Sequence, residues 1–186
     1  MTIRRELETT AGIFFITFTC YSWLPLFTIT DGYGLVYKQF DVLRSEQHAI
    51  VGYVTMPNHV HVLVSFTGQV NSINSRIGTL KRFLAYDLVK LLKLRKEIVV
   101  LQYLADGVNT YDRKKGKLHE VFEPSFDIKQ CYTTRFLKQK LEYIHANPCR
   151  GKWRLCVSPE EYVHSSANYY LTGQPGIYRV RHYLDL

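Results

Sequence analysis

TMPNHVHVLVSF, residues 55–66, is two patterns at once. Successive side chains of a β-strand point to opposite faces, so Val60, Val62, Val64 and Phe66 share one side while His59, His61, Leu63 and Ser65 share the other. The valine side is a core face. The histidine side carries two imidazoles about 7 Å apart at their Cα atoms, close enough to converge on one cation. A neutral imidazole in apolar surroundings needs partners for both ring nitrogens, so two of them on one face are costly without a compensating role. The plainer reading of such a pair is two histidines bonded to neighbours or water, and a metal site needs further donors from elsewhere in the chain.

Working outward, HAIVGYVTM (48–56) is β-rich and meets the histidine strand across Pro57 and Asn58, a tight connection that predicts an antiparallel hairpin. GIFFITFTCY (12–21) reads as a first strand, and the segment after it as a helix capped by Asp31 with Leu35, Val36, Phe40 and Leu43 inward. A long helical pattern covers residues 70–96. Residues 97–104 are open between strand and helix, residues 105–120 read as a polar loop or extended hairpin, and residues 121–128 as a short strand or irregular segment. CYTTRFLKQKLEYIHAN (131–147) is a helix begun by Thr133 or Thr134 and ended by Pro148. This order predicts an α+β, ferredoxin-like antiparallel sheet with helices packed on one face, the histidines on a central strand and part of the other face free for a ligand. The reading is one domain, residues 1–186, with a core over about 12–150 and a less regular tail over 151–186.

Across the 186 residues, 24 Lys and Arg against 16 Asp and Glu give a formal charge of +8, which favours a polyanionic partner. Fourteen Tyr and ten Phe add faces on which bases stack. The four cysteines form no CxxC pair, so neither a zinc ribbon nor a disulfide scaffold is indicated, and reduced thiols in a cytoplasm are expected. GIFFITF is too short to span a bilayer and MTIRRELE is unlike a signal peptide, so no membrane partner is expected.

On the helix over 131–147, Leu137, Leu141 and Ile144 form the packing stripe, and Tyr143 and Asn147, spaced i and i+4, lie along its edge. Packing that helix on the sheet brings both toward the histidines. The Asn147 amide oxygen is a candidate third ligand. Lys81 and Arg82 on the long helix, Arg113, Lys114, Lys115 and Lys117 in DRKKGK, and Lys140 one turn from Tyr143 are the candidate phosphate contacts to a polyanionic partner.

YVTMPNHVHVLVSF, LKRFLAYDLV and QKLEYIHANPCRGKW together resemble the single-tyrosine HUH-type transposases, particularly the REP-associated, IS200-like subgroup, over about residues 12–170. The resemblance implies His59 and His61 as metal ligands, Asn147 at the third-ligand position and Tyr143 as nucleophile. It further implies Mg²⁺ or Mn²⁺ as cofactor, and single-stranded DNA with hairpin structure as partner. The activity it implies is a strand transferase working through a 5′-phosphotyrosine intermediate. Relatives include homodimers that complete each other's sites, which leaves a tyrosine in cis or in trans open. The chain departs from the family pattern at VFEPSFD and EYVHSS, which bears on DNA sequence preference. The competing reading is a non-catalytic nucleic-acid-binding regulator derived from a transposase.

Overall fold

In the computed structural model, residues 11–68 and 72–186 are described. The opening MTIRRELE and the expected first residue of the long helix, Val70, lie outside them. The chain runs β1 (Gly12–Thr19), a 3₁₀ turn (Tyr21–Trp23), α1 (Leu26–Thr30), α2 (Tyr33–Ser45), β2 (Ala49–Met56), β3 (His59–Phe66) and α3 (Ile73–Leu94). It continues through α4 (Ile98–Asp106), α5 (Thr110–Lys114), β4 (Asp127–Gln130), α6 (Thr134–Ala146) and α7 (Ala167–Thr172). The sheet order is β2-β3-β1-β4 with every pair antiparallel, the ferredoxin-like arrangement, and β3 and β1 are central.

Alternation along the strands divides the core in two. Phe14, Ile16 and Phe18 of β1 and Val60, Val62, Val64 and Phe66 of β3 meet Val36, Phe40 and Leu43 of α2 and Ile77, Leu80, Leu84 and Leu88 of α3. On the opposite face Phe15, Val51, Val54, Met56 and Leu63 meet Leu137, Leu141 and Ile144 of α6, with Tyr162 beside them. α2 and α3 therefore cover one face, and α6 covers part of the other. Its closeness depends on Gly52, where a Cβ would stand 2.5 Å from Leu141 Cδ2. The register shift between Ile50 and Gly52 places that glycine opposite Leu63.

Two local expectations change, and one open reading resolves. Asp31 does not open α2: it closes α1 in the left-handed conformation, φ 53°, and Gly32 takes the N-cap of α2. Residues 97–104 resolve as helix, because α4 packs Leu104 inward while leaving its other side in solvent. Residues 105–120 form no hairpin; Asn109 caps the short α5, its side chain accepting from the Asp112 N–H. The expected stripe on α6 is present, with Leu137, Leu141 and Ile144 buried and Thr133 Oγ1 accepting from the Phe136 N–H. Among the described residues no helix is long and apolar enough to cross a membrane.

Candidate active site

β3 delivers His59 and His61 to the α6 face, both buried, with ring centroids 4.7 Å apart. Antiparallel register sets Thr17 of β1 opposite His61, and Thr17 Oγ1 lies 2.5 Å from His61 Nδ1. Asn58 does the corresponding work for His59. Its Nδ2 donates to the Trp23 carbonyl at 3.2 Å, which turns Oδ1 toward His59 Nδ1 at 2.7 Å. Since Oδ1 can only accept, His59 Nδ1 carries the proton and Nε2 keeps its lone pair. The Thr17 hydroxyl can accept from His61 Nδ1 in the same way. Among the described residues nothing hydrogen-bonds either Nε2.

Burial holds both rings neutral. It pushes His59 down to about 4 and His61 down to about 3, the latter also under the neighbouring charges of His59 and Lys140. Two neutral imidazoles with oriented Nδ1 groups and open Nε2 lone pairs are the state that metal ligation requires. The residues fit a divalent cation on this ground. Among the described residues no cluster of three His, Cys, Asp or Glu forms. Asn147, half-buried, follows α6 with helical φ and ψ of −55° and −46°, which continues the spiral past Tyr143 and keeps the two residues one turn apart.

Tyr143 is 47% exposed, and its ring meets His61 at 5.3 Å and Phe15 at 6.2 Å, edge to face in both cases. Lys140, one turn earlier, holds Nζ 4.8 Å from the Phe15 ring and 5.6 Å from the Tyr143 ring. Tyr143, Lys140 and the histidine pair thus form one constellation. Fixing it are Leu141 and Ile144, which lock the rotation of α6, and Phe15, which stacks on His61 at 5.5 Å.

The remaining basic candidates do not join it. Lys81 is buried on α3, its Nζ donating to the Glu123 carbonyl at 2.8 Å and lying 5.2 Å from the Phe126 ring. That ammonium fastens the segment before β4, so the phosphate contact expected of Lys81 is withdrawn. Arg82 is exposed above Phe83, on the helix that covers the other face of the sheet. Arg113 Nη2 donates to the Ala105 carbonyl at 2.6 Å, Lys115 to the Tyr111 hydroxyl at 2.6 Å, and Lys117 pairs with Glu120. Lys114 is exposed beside them. This cluster folds back on α4 and on itself. Thr17, Asn58, Phe15 and Trp23 were not foreseen in the site; only Asn58, adjacent to His59 in PNHVH, left a local signal.

No protein-family model matches the chain, and no curated protein matches it. A solved structure of a REP-associated tyrosine transposase bound to a REP hairpin superposes at a TM-score of 0.66, with 17% identity, over 97% of this chain and 92% of that one. A Deinococcus radiodurans R1 protein assigned as a transposase aligns over 77% of this chain and 95% of its own, at 16% identity. Its TM-score of 0.43 adds nothing to the fold assignment. On the first superposition, the chain has the fold of a REP-associated tyrosine transposase.

Proposed function

We propose that the chain nicks and rejoins single-stranded DNA bearing hairpin structure, with Tyr143 as nucleophile and His59, His61 and Asn147 as ligands of Mg²⁺ or Mn²⁺. The observation that carries the reading is the contact of the exposed Tyr143 ring with His61, on a helix whose rotation is fixed by its own packing. A phosphodiester resists attack because its charged oxygens repel a nucleophile. When bound, the cation supplies positive charge to a non-bridging phosphate oxygen. The protein's own residues do the rest. Asn58 keeps His59 Nε2 directed and unprotonated, Thr17 orients the His61 ring and can accept from its Nδ1, and Lys140 places a positive charge beside the attacking group. Tyr143 Oη forms the bond to phosphorus, the bond from phosphorus to the 3′ oxygen breaks, the phenolic proton is lost to solvent and the 3′ oxygen takes one up. The 5′ end is left as a tyrosyl ester that a second 3′-hydroxyl reverses without ATP.

The test is a labelled single-stranded hairpin oligonucleotide incubated with protein and Mn²⁺ and run on a denaturing gel. A protein-linked band is expected, and it disappears in Tyr143→Phe while the circular dichroism spectrum is unchanged. A band that persists in that variant overturns the assignment of Tyr143. A parent protein that binds the DNA without ever forming the band favours the non-catalytic regulator instead.

A further inference from the structure

Trp23 is 58% exposed at the edge of the histidine pair. Its backbone is left-handed, φ 58°, and so is that of Ser22, φ 50°. Two consecutive non-glycine residues in that region are disfavoured by contact of Cβ with the backbone and persist only where surroundings hold them. Here three hydrogen bonds do so. The Ser22 N–H donates to Glu123 Oε1 at 2.8 Å, the Trp23 N–H to the Cys20 carbonyl at 3.0 Å, and Asn58 Nδ2 to the Trp23 carbonyl at 3.2 Å. Asn58 is also the acceptor for His59 Nδ1, so one amide orients both the imidazole and the turn that carries the indole.

The rings form a row. Trp23 meets His59 at 6.0 Å between centroids, His59 meets His61 at 4.7 Å, and His61 meets Tyr143 at 5.3 Å. The two imidazoles in the middle are buried and the two large rings at the ends are open. An exposed indole on a hydrogen-bonded turn beside the proposed phosphate-handling centre has the flat apolar face that any nucleobase stacks on.

We propose that Trp23 is a stacking platform for a base of the single strand bound at the histidine pair. The proposal rests on the reading of Tyr143 and the histidines given above and adds a base contact at the end of the row opposite the nucleophile. In-line attack by Tyr143 expels the oxygen on the far side of phosphorus, so the base on Trp23 belongs to the strand that departs with its 3′-hydroxyl. Stacking is indifferent to base identity, and Trp23 therefore contributes affinity and placement and leaves sequence preference to other contacts.

The chain has two tryptophans, so Trp153→Phe leaves Trp23 as the single indole emitter. Oligothymidylate should quench that emission, and a deoxyribose-phosphate strand of the same length without bases should not. By fluorescence anisotropy of labelled DNA, Trp23→Ala should weaken oligothymidylate binding by roughly tenfold, the scale of one lost base stack, and leave the baseless strand unaffected. Trp23→Phe, which keeps a ring, should recover part of the loss. A thermal melt checks that Trp23→Ala stays folded; its exposed ring makes that the expected result. Oligothymidylate that binds with Trp23 emission unchanged, or equally well to Trp23→Ala, overturns the stacking proposal and leaves the Tyr143 reading standing. A parent protein that binds no single strand overturns both.

Discussion

The two faces of the sheet are built from the same strands and end up chemically opposite. Toward α2 and α3, β1 and β3 send phenylalanine, isoleucine and valine alone, and the layer closes. Toward α6 the alternate residues of the same strands include Phe15, Thr17, His59, His61 and Leu63. α6 seals the Leu63 half with Leu137, Leu141 and Ile144 and turns Tyr143 and Lys140 to the histidine half. Strand alternation lets one segment supply both a core and a polar, histidine-bearing surface, and the buried polar groups it concentrates on one side make that side sensitive where the other is inert.

Acid should bring out the contrast most strongly. Burial holds His59 at about 4, His61 at about 3 and His145, whose Nε2 lies 2.8 Å from Ser166 Oγ, at about 4. All three belong to β3 or α6. Their folded values lie below the ordinary value of about 6.5. Above about pH 6.5 they are neutral whether folded or not, and their contribution is complete. As pH falls below that, the unfolded chain takes up protons that the folded chain refuses, and stability is lost until pH passes the folded values. The urea midpoint should therefore drop steeply between pH 7.5 and pH 5, by on the order of several kcal/mol of unfolding free energy. His48, His119 and His164, also lowered by burial, add in the same direction. His145→Gln should flatten the profile by about one proton. A profile already flat in the parent protein would break the comparison.

On the inert face the expected effect is packing alone. Leu84→Ala in α3, at a fully buried position, should cost about 2–5 kcal/mol by chemical denaturation. The Mn²⁺ affinity proposed for the histidine pair, read by titration, should be unchanged below the transition, since both imidazoles face the other side of the sheet. A coupled loss of metal binding would show that the two faces are not independent.

Gly52→Ala tests the seat of α6 on the sheet. The new methyl would meet the end of the Leu141 side chain, which can move, so a cost of about 1–3 kcal/mol is expected rather than loss of the fold. The more telling readout is Tyr143: displacing α6 away from β3 should slow adduct formation beyond what the stability change explains, as single-turnover kinetics would measure.

This division was only half legible in the sequence. Alternation in HVHVLVSF and the 3.6-residue stripe on α6 depend on local periodicity, and both read correctly. The partners of the imidazoles depend on register. Thr17 lies opposite His61 because β1 pairs antiparallel with β3 in one frame out of several, and nothing local to Thr17 marks that frame. The fate of the lysines was hidden for a related reason. Lys81 looks like any basic residue on an amphipathic helix, and its burial follows from the return of Glu123 and Ser125 across α3, a contact spanning more than forty positions. Asp31 misled because a helix ended where one was expected to begin, and short α1 carries no periodicity to announce it.

The smallest expected effect separates the faces as DNA surfaces. Lys140 stands with Tyr143 and Phe15 on the histidine side, and Arg82 is exposed on α3, across the sheet. Both are single positive charges on helices and contribute equally to the net charge, so a purely diffuse attraction would register their loss alike. Contact at the site would not. Lys140→Gln should weaken single-stranded DNA binding at low salt and reduce the slope of log affinity against log salt by about 0.7, one phosphate contact. Arg82→Gln should leave the slope within error of the parent. Neither should change stability by more than about 1 kcal/mol, since what Lys140 loses is its placement over the Phe15, Phe136 and Tyr143 rings. Equal slopes in the two variants would mean that the strand is not held at the α6 face, and the ring contact between Tyr143 and His61 would then be packing without chemistry.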